Sequence, residues 1–288
     1  MLVVLPPLAA EPIFHFCIFP ITNSMLNVWG ALLLFIVIAL FINQGMKKYY
    51  RTGLAPKGIL NFIESIIEIF LQQIDNVTGD RKKTLKFLPI VGGMFLFILT
   101  SNWIGILPGI GSIVVRRGAE VIPLFRSANS DLNLTLSMAV FSVVLSHLLG
   151  IAVIGFFKYA NKFVKFGDIY KAIKSGKIGN LGIAIIEFFV GLLEIISEVA
   201  KMVSLSLRLF GNIFAGEVLL TVIASLISGY AAFGIPLPFL GLELLVGIIQ
   251  AMVFALLTLV YLTVATTPIS GHGETHGVET TEEGVPTM

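Results

Sequence analysis

The stretch VSLSLRLFGNIFAGEVLL, residues 203–220, decides the fold because it sets an arginine, an asparagine and a glutamate within an apolar run. These residues are Arg208, Asn212 and Glu217. A charge at the centre of a bilayer costs about 2.5–3.5 kcal/mol on insertion scales, so an ionisable residue in a membrane span is a functional candidate by default. The stretch therefore predicts a membrane helix whose polar groups serve the function.

The whole composition agrees with a polytopic membrane protein. Of the 288 residues, 56% are hydrophobic and 12% are charged, whereas soluble domains carry about 25% charged residues. The mean hydropathy is +0.96. We predict an all-α membrane protein with a single membrane domain over residues 1–288 and no room for a large soluble domain. A single cysteine, Cys17, excludes an internal disulfide and offers no metal-ligand pattern.

Apolar runs of the roughly 20 residues that a crossing helix needs predict five spans. They cover about residues 28–46, 87–107, 132–157, 181–227 and 240–266. The first three belong to a peripheral region, residues 28–178, and the last two form a C-terminal hairpin, residues 179–267, with its turn at 229–238. The span from Leu181 is roughly 70 Å long at 1.5 Å per residue, so it must tilt steeply, bend or break.

Residues 59–74 predict an amphipathic helix that lies on the membrane surface. Its polar residues recur at three- and four-residue steps against an apolar face: Glu64, Glu68, Gln72 and Asp75. Basic clusters at 47–57, 81–86 and 158–177 then fall on one side of the membrane. The other side has three arginines: Arg116, Arg117 and Arg126.

The positive-inside rule, applied to this distribution, places the N-terminus outside and the C-terminus in the cytoplasm. Residues 1–27 are then an outside segment, and residues 268–288 are a flexible cytoplasmic tail. The first ten residues have no basic region and contain two prolines, so they make a poor signal peptide. The absence of a transit peptide and the arginines of the outer loop favour a bacterial plasma membrane.

More ionisable residues precede Arg208 on the same helix: Glu187, Glu194, Glu198 and Lys201. Glu187 and Glu198 are explained equally well as residues near the cytoplasmic interface, and Glu198 can pair with Lys201 three positions on. At about 100° per residue, Arg208 and Asn212 share a face with Glu194, while Glu217 lies about half a turn from Arg208 and ~14 Å further along the axis. The alternative without a functional role for Arg208 is that its side chain snorkels to the membrane interface.

The last span repeats the polar pattern. Glu243, Gln250 and Tyr261 are separated by seven and eleven residues, which places all three on one face. The alternative for Gln250 is a purely structural role, in which it forms an interhelical hydrogen bond that serves only packing. Glu217 and Glu243 flank the turn of the hairpin, and we predict that they meet across it. Two neighbouring carboxyls in a low-dielectric site suit the uptake and release of protons.

Five motifs together carry a resemblance to a known family. They are SLSLRLFGNIFAGE at 204–217, IQAMVFALLTLVYL at 249–262, FHFCIFPITN at 14–23, SNWIGILP at 101–108 and DLNLTLSMA at 131–139. In sequence and in order they resemble the membrane-embedded a subunit of the rotary F-type ATP synthases. The resemblance spans nearly the whole chain, and the first two motifs are specific.

The resemblance implies roles for particular residues. The family's essential arginine falls on Arg208, its neighbouring asparagine on Asn212, the acid of the uptake half-channel on Glu217 and the glutamine of the final helix on Gln250. Glu243 stands where some members carry a histidine, and Glu194 matches an acid toward the release half-channel. Ser204, which begins the first motif, is counted with these residues. Three further residues are accessory candidates: Asp131, which also predicts a helix N-cap, Glu198 and Tyr261. His147 matches no family site and is interpreted as a packed or pore-edge polar group.

The resemblance also implies a non-catalytic stator subunit beside a ring of c subunits, held by the b-subunit peripheral stalk, with no cofactor, no metal and no nucleic acid. Protons would pass through two offset half-channels to and from the ring carboxylates, and that flow would drive ATP synthesis. An ion-coupled secondary transporter is the alternative, and it predicts paired broken helices and a substrate pocket. A purely structural anchor predicts no ionisable residue at mid-span. The sequence leaves the coupling ion, H⁺ or Na⁺, and the ring size open.

Overall fold

The computed structural model describes residues 10–16, 19–52, 58–107, 113–117, 120–124, 126–163, 178–226 and 234–267. Several sequence predictions lie outside these ranges: the start of the poor signal peptide, Cys17, most of the lysine-rich loop at 158–177, most of the hairpin turn and the tail at 268–288. The described elements can be listed in chain order. They are β1 (Pro12–Phe16), β2 (Phe19–Thr22), α1 (Asn23–Thr52), α2 (Ile59–Thr78), α3 (Arg81–Ile106), β3 (Val114–Arg117), β4 (Glu120–Pro123), a 3-10 turn (Ala128–Ser130), α4 (Leu132–Ile154), α5 (Phe156–Phe163), α6 (Ile178–Leu226) and α7 (Pro236–Thr266).

Five of the described helices are long and apolar enough to cross a membrane: α1, α3, α4, α6 and α7. The prediction of an all-α membrane protein with five spans is therefore confirmed. Helix α2 is amphipathic, as predicted, and it packs against α3 and α7. Two antiparallel hairpins, β1–β2 and β3–β4, were not predicted, and the second lies where the sequence indicated only a loop.

Helix α7 forms the centre of the bundle and contacts α2, α3, α4 and α6. Its side chains contribute to two buried apolar clusters, one with α2 and α3 around Leu259 and one with α3, α4 and α6 around Phe254. Many apolar side chains of α1 and of the first half of α6 are exposed. Burial of apolar surface in these clusters stabilises the packing of the inner helices, while the exposed apolar faces of α1 and α6 are suited to contact with lipid.

Helix α6 is continuous over 49 residues, so the alternative that it breaks is wrong. Its apolar part, Ile186–Leu226, has 41 residues and is about 60 Å long at 1.5 Å per residue. That is twice the roughly 30 Å hydrocarbon thickness, so the helix must tilt or bend to stay in the membrane.

Several predicted boundaries were wrong because local caps, and not apolarity, set the helix ends. Helix α3 starts at Arg81 and not near residue 87, because the Asp80 side chain accepts a 2.8 Å hydrogen bond from the Lys82 backbone N–H. The basic cluster therefore forms the first turns of α3. Helix α1 starts at Asn23 and continues through the basic residues after position 46. Helix α7 starts at Pro236, since proline is well suited to the first helical position.

The predicted N-cap at Asp131 is confirmed, because its side chain accepts a 2.9 Å hydrogen bond from the Asn133 backbone N–H. The end of α4 differs from the prediction. Gly155 has a φ of +93°, which stops the helix after Ile154. A short helix, α5, then begins where the sequence indicated a lysine-rich loop. This corner turns α5 back against α4 and α6.

We expect Gly155→Ala to destabilise the protein by about 1–2 kcal/mol, because an L-residue at positive φ brings its Cβ too close to the backbone. Unfolding of the purified chain in detergent measures the change. Gly93→Ala is the matched control, since a Cβ at Gly93 meets nothing within 4 Å. A Gly155→Ala protein as stable as the control would contradict the proposed strain.

Candidate functional site

Polar side chains collect at two cavities that lie on opposite sides of Arg208 along the α6–α7 pair. The first cavity, about 190 Å³, includes Glu217 of α6 and Glu243 of α7 among its lining. The second, about 260 Å³, includes Glu198 of α6 and Tyr261 of α7. Because α6 and α7 run in opposite directions, each cavity takes residues from one end of both helices. We call them the Glu217 cavity and the Glu198 cavity.

The Glu217 cavity contains an ion pair that sequence reasoning missed. Arg126 Nε donates to both carboxylate oxygens of Glu217, at 2.8 and 3.1 Å. The side chain of Arg126 is 3% exposed and that of Glu217 is 26% exposed. Arg126 lies in the loop between α3 and α4, as the sequence indicated, but it is buried just before the 3-10 turn. Asn27 of α1 holds this segment by donating from Nδ2 to the Arg126 carbonyl at 2.9 Å.

Glu243 lines the same cavity as Glu217, so the predicted meeting of the two acids across the hairpin is confirmed. Glu243 is buried, with 4% exposure, although it is a carboxylic acid. Its carboxyl group lies directly against Gly216 of α6, in the space that a Cβ at that position would occupy. Glycine at 216 is thus what lets the two acids share one cavity.

Between the cavities, Asn212 and Gln250 join α6 to α7. The Asn212 Nδ2 donates to Gln250 Oε1 at 2.8 Å. Gln250 is buried, and its Nε2 has no hydrogen-bond partner among the described residues. The interhelical bond expected from the packing interpretation is present. A buried amide with a spare donor can also bind water or another polar group.

Arg208 lies one turn from Asn212 and its side chain is exposed on the outer face of α6, as is that of Ser204. Within the described ranges, no carboxylate is close enough to Arg208 for a salt bridge. Two other arginines in the described ranges form salt bridges with acids: Arg126 with Glu217 and Arg81 with Asp75. Arg208 therefore presents its charge to whatever covers this face.

The Glu198 cavity contains the predicted pair of Glu198 and Lys201. Lys201 Nζ donates to Glu198 Oε1 at 2.8 Å and lies 5.5 Å from the centre of the Tyr261 ring. The side chain of Glu198 is 13% exposed, so it faces the cavity and not lipid. Glu243 and Tyr261 of α7 thus line one cavity each, and Gln250 lies between them on the helix face that their spacing predicted.

Glu194 acts on this second cavity through Tyr159 of α5. Burial, together with the negative charges of Glu198 and Glu194, raises the pKa of Tyr159 to about 12. The phenol therefore stays protonated at all physiological pH values. Asp131, by contrast, lies at the start of α4, where it accepts from Ser24 Oγ at 3.1 Å. It belongs to the lining of neither cavity.

The site residues do not resemble a metal centre. Within the described part of the chain, no group of three His, Cys, Asp or Glu side chains is arranged to hold a metal ion. The fold and the site together define a polytopic membrane protein with a charged, uncovered helix face between two polar cavities.

The chain belongs to the family of ATP synthase A chains, which matches residues 25–263. It is 32% identical over 240 residues to ATP synthase subunit a of Campylobacter jejuni subsp. doylei, covering 83% of this chain and 88% of the relative. It is 28% identical over 250 residues to ATP synthase subunit a of Moorella thermoacetica, covering 87% and 93%. For the subunit of Syntrophobacter fumaroxidans the identity is 30% over 226 residues, covering 78% and 79%. The family resemblance of the motifs is thus confirmed, and the chain is a multi-pass protein of a bacterial membrane.

Proposed function

We propose that this chain is the stationary subunit that forms two offset proton half-channels against a rotating ring of c subunits. The observation that carries the proposal is the uncovered charge of Arg208 between the two cavities. A cation on an apolar helix face is costly against lipid, but it is stabilised against a surface that carries carboxylates. Such a surface is what a ring of small subunits with mid-membrane acids supplies.

The uptake half-channel runs through the Glu217 cavity toward Asn212 and Gln250. Glu217 and Glu243 take up protons there, and Arg126 holds the Glu217 carboxylate in place. A proton reaching the Asn212–Gln250 pair is then close to the face on which Arg208 lies. Transfer to a ring carboxylate neutralises it, so the ring site can turn into lipid.

The release half-channel runs from the Arg208 face through the Glu198 cavity toward Glu194. A ring site that returns after nearly a full turn loses its proton on this side. Tyr261 and Lys201 line the same route. The route ends on the cytoplasmic side, in the orientation with the N-terminus outside, and a membrane potential of 100 mV supplies about 2.3 kcal/mol per proton that crosses.

Arg208 has two tasks, and both depend on a charge that never titrates. It favours the ionised ring carboxylate at the interface, and it prevents protons from passing directly between the half-channels. A guanidinium keeps its proton at any pH of a living cell, whereas a buried lysine shifts its pKa readily. Ser204, one turn before Arg208 on the same exposed face, leaves room for the approaching ring.

The remaining outward faces fit the other proposed partners. Apolar side chains of α1 are exposed along most of the helix, and they are available to lipid and to the b-subunit peripheral stalk. The chain itself catalyses no covalent step in this scheme. The alternative of an ion-coupled secondary transporter predicts discontinuous helices at the site, but α6 and α7 are each continuous, and we do not propose it.

Disulfide cross-linking in the assembled complex tests the proposal. Leu207 is 50% exposed beside Arg208, so Leu207→Cys in a Cys17→Ser background should cross-link to a cysteine near the acid of the ring subunit and stop ATP-driven transport until reduction. Leu33→Cys on α1, at 64% exposure, is the control and should not cross-link to the ring. Equal cross-linking by both cysteines, or none by Leu207→Cys in an assembled complex, would refute the proposed ring contact.

A further inference from the structure

An apolar groove of about 500 Å³ lies between α2 and α3, and it shares no lining residue with the two polar cavities. One wall is formed by Ile66, Ile67 and Ile69 of α2, and the other by residues 88–96 of α3. All of the side chains that line the groove are apolar, and Met252 of α7 is among them. We call it the α2–α3 groove.

The groove is open toward the surroundings of the bundle. The three isoleucines of its α2 wall are 45–60% exposed. Glu64 and Glu68 lie about half a turn round α2 from Ile66, so they face away from the groove. The ring of Phe70 stacks on that of Phe95, with centroids 5.0 Å apart, and joins the two walls. Because α3 is long and apolar enough to span a membrane, the open side of the groove faces hydrocarbon.

Two lysines lie on the face of α3 that leads into the groove. Lys82 and Lys86 are followed by Pro89 and Gly93 at steps of four, three and four residues, which places all four on one helix face. All four are exposed. Lys86 precedes Pro89 by about 4.5 Å along the helix axis, at 1.5 Å per residue. Two positive charges therefore lie at one end of an apolar groove.

The acids near this corner do not neutralise the two lysines. Asp75 pairs with Arg81, and the Asp80 side chain accepts from the Lys82 backbone N–H at the start of α3. Within the described ranges, no acid lies within salt-bridge distance of the ammonium groups of Lys82 and Lys86. Both charges are thus available to an anion from outside this chain.

We propose that the α2–α3 groove binds an acyl chain of an anionic phospholipid whose headgroup lies against Lys82 and Lys86. The site is independent of the proton path and goes beyond the proposed function. Lipid tails are as apolar as the walls of the groove, so apolar contact alone does not select one lipid over another. The lysines supply the selectivity, since basic pockets between membrane helices bind anionic headgroups.

The same charges favour a lipid over a membrane helix of a partner subunit. A helix would cover the apolar walls, but it would also need an acid at the level of Lys82 and Lys86. An anionic phospholipid always joins a negative headgroup to an acyl chain. A zwitterionic phospholipid has the phosphate too, but its own cationic group is repelled by the lysines. At Gly93 a Cβ would meet nothing within 4 Å, so the α3 wall leaves space for the chain.

The test is photolabelling of the assembled complex in vesicles of phosphatidylcholine. The vesicles contain a trace of either phosphatidylglycerol or phosphatidylcholine with the same photoreactive acyl chain, and mass spectrometry quantifies the labelled peptides. We expect the labelled phosphatidylglycerol to modify the groove peptides of α2 and α3 at least about tenfold more, since each lysine near an anionic headgroup favours binding by about fivefold. Both probes should label the exposed outer face of α1 equally.

Three variants separate the headgroup contact from the acyl-chain contact. Lys82→Gln combined with Lys86→Gln should lower labelling by phosphatidylglycerol about tenfold or more, to the level of phosphatidylcholine. Lys47→Gln combined with Lys158→Gln removes two exposed lysines of α1 and α5, and this charge-matched control should be labelled as the wild type is. Gly93→Leu fills the groove from a position without a close neighbour and should remove labelling of the groove by both probes.

Equal labelling of the groove by the two probes, or unchanged labelling after loss of Lys82 and Lys86, would show unselective contact with lipid and overturn the proposal. A wild-type complex labelled on α1 but not in the groove would mean that a partner helix covers it, which overturns the proposal as well. If Gly93→Leu does not assemble, the two lysine variants decide the outcome alone.

Discussion

Arg208→Ala should abolish ATP-driven proton uptake by inverted vesicles while leaving the amount of assembled complex unchanged. The side chain is exposed and pairs with no acid of the described chain, so its removal leaves no carboxylate of this chain unsatisfied. What is lost is the attraction for a carboxylate on the ring, about 4 kcal/mol for charges 4 Å apart at an effective dielectric of 20. That corresponds to about a 1000-fold change in the ionised fraction of the ring site.

Two further variants separate this effect from a general loss of charge. Arg81→Ala removes an exposed arginine that pairs with Asp75 at the corner between α2 and α3, and it should transport normally. Arg208→Lys keeps a cation that can lose its proton, so it should remain strongly impaired. An unaltered ATP-driven proton gradient in Arg208→Ala, measured by quenching of a pH-sensitive dye, would contradict the role proposed for Arg208.

The number and type of the helices could be predicted from the sequence because each depends on a local property. An apolar run of sufficient length spans a bilayer wherever its neighbours lie, and five such runs were found. Helix ends were less predictable. The start of α3 depends on the Asp80 cap, and the end of α4 depends on the positive φ of Gly155. Neither feature changes the apolarity of the run.

The angular relations along single helices were also predictable. Glu217 contacts Arg126 while Arg208 is exposed on a different face of α6, as the 100° step requires. The meeting of Glu217 and Glu243 followed from their positions beside the hairpin turn. These relations need only helix geometry and the assumption that consecutive helices pack against each other.

Contacts between distant segments were beyond the reach of such reasoning. Arg126 and Glu217 are 91 positions apart, and nothing periodic connects a loop arginine to a helix acid. His147 and Tyr159 are only 12 apart, but their contact depends on the unpredicted helix α5. Burial of a charge is costly unless it is paired. That rule identifies partners only after the burial is known.

Gly216→Ala should lower proton flux by about 10- to 100-fold, although it adds a single methyl group. The new Cβ would occupy the space of the Glu243 carboxyl group, so Glu243 must move from its present position in the cavity that it shares with Glu217. Misplacing a reacting group by about 1 Å can cost about 100-fold in rate. Passive flux through head-depleted vesicles measures the loss, and the pairing of Glu217 with Arg126 should keep the complex assembled.

The same geometry supplies both a control and a rescue. Gly182→Ala lies on the same helix with nothing within 4 Å of the added Cβ, so its flux should equal that of the wild type. Glu243→Asp shortens the acid by one methylene and withdraws its carboxyl group from α6, so the double variant with Gly216→Ala should transport better than Gly216→Ala alone. A Gly216→Ala complex with wild-type flux would mean that the position of Glu243 does not matter to the uptake half-channel. A double variant no better than the single one would show that the methyl group acts on something other than that acid.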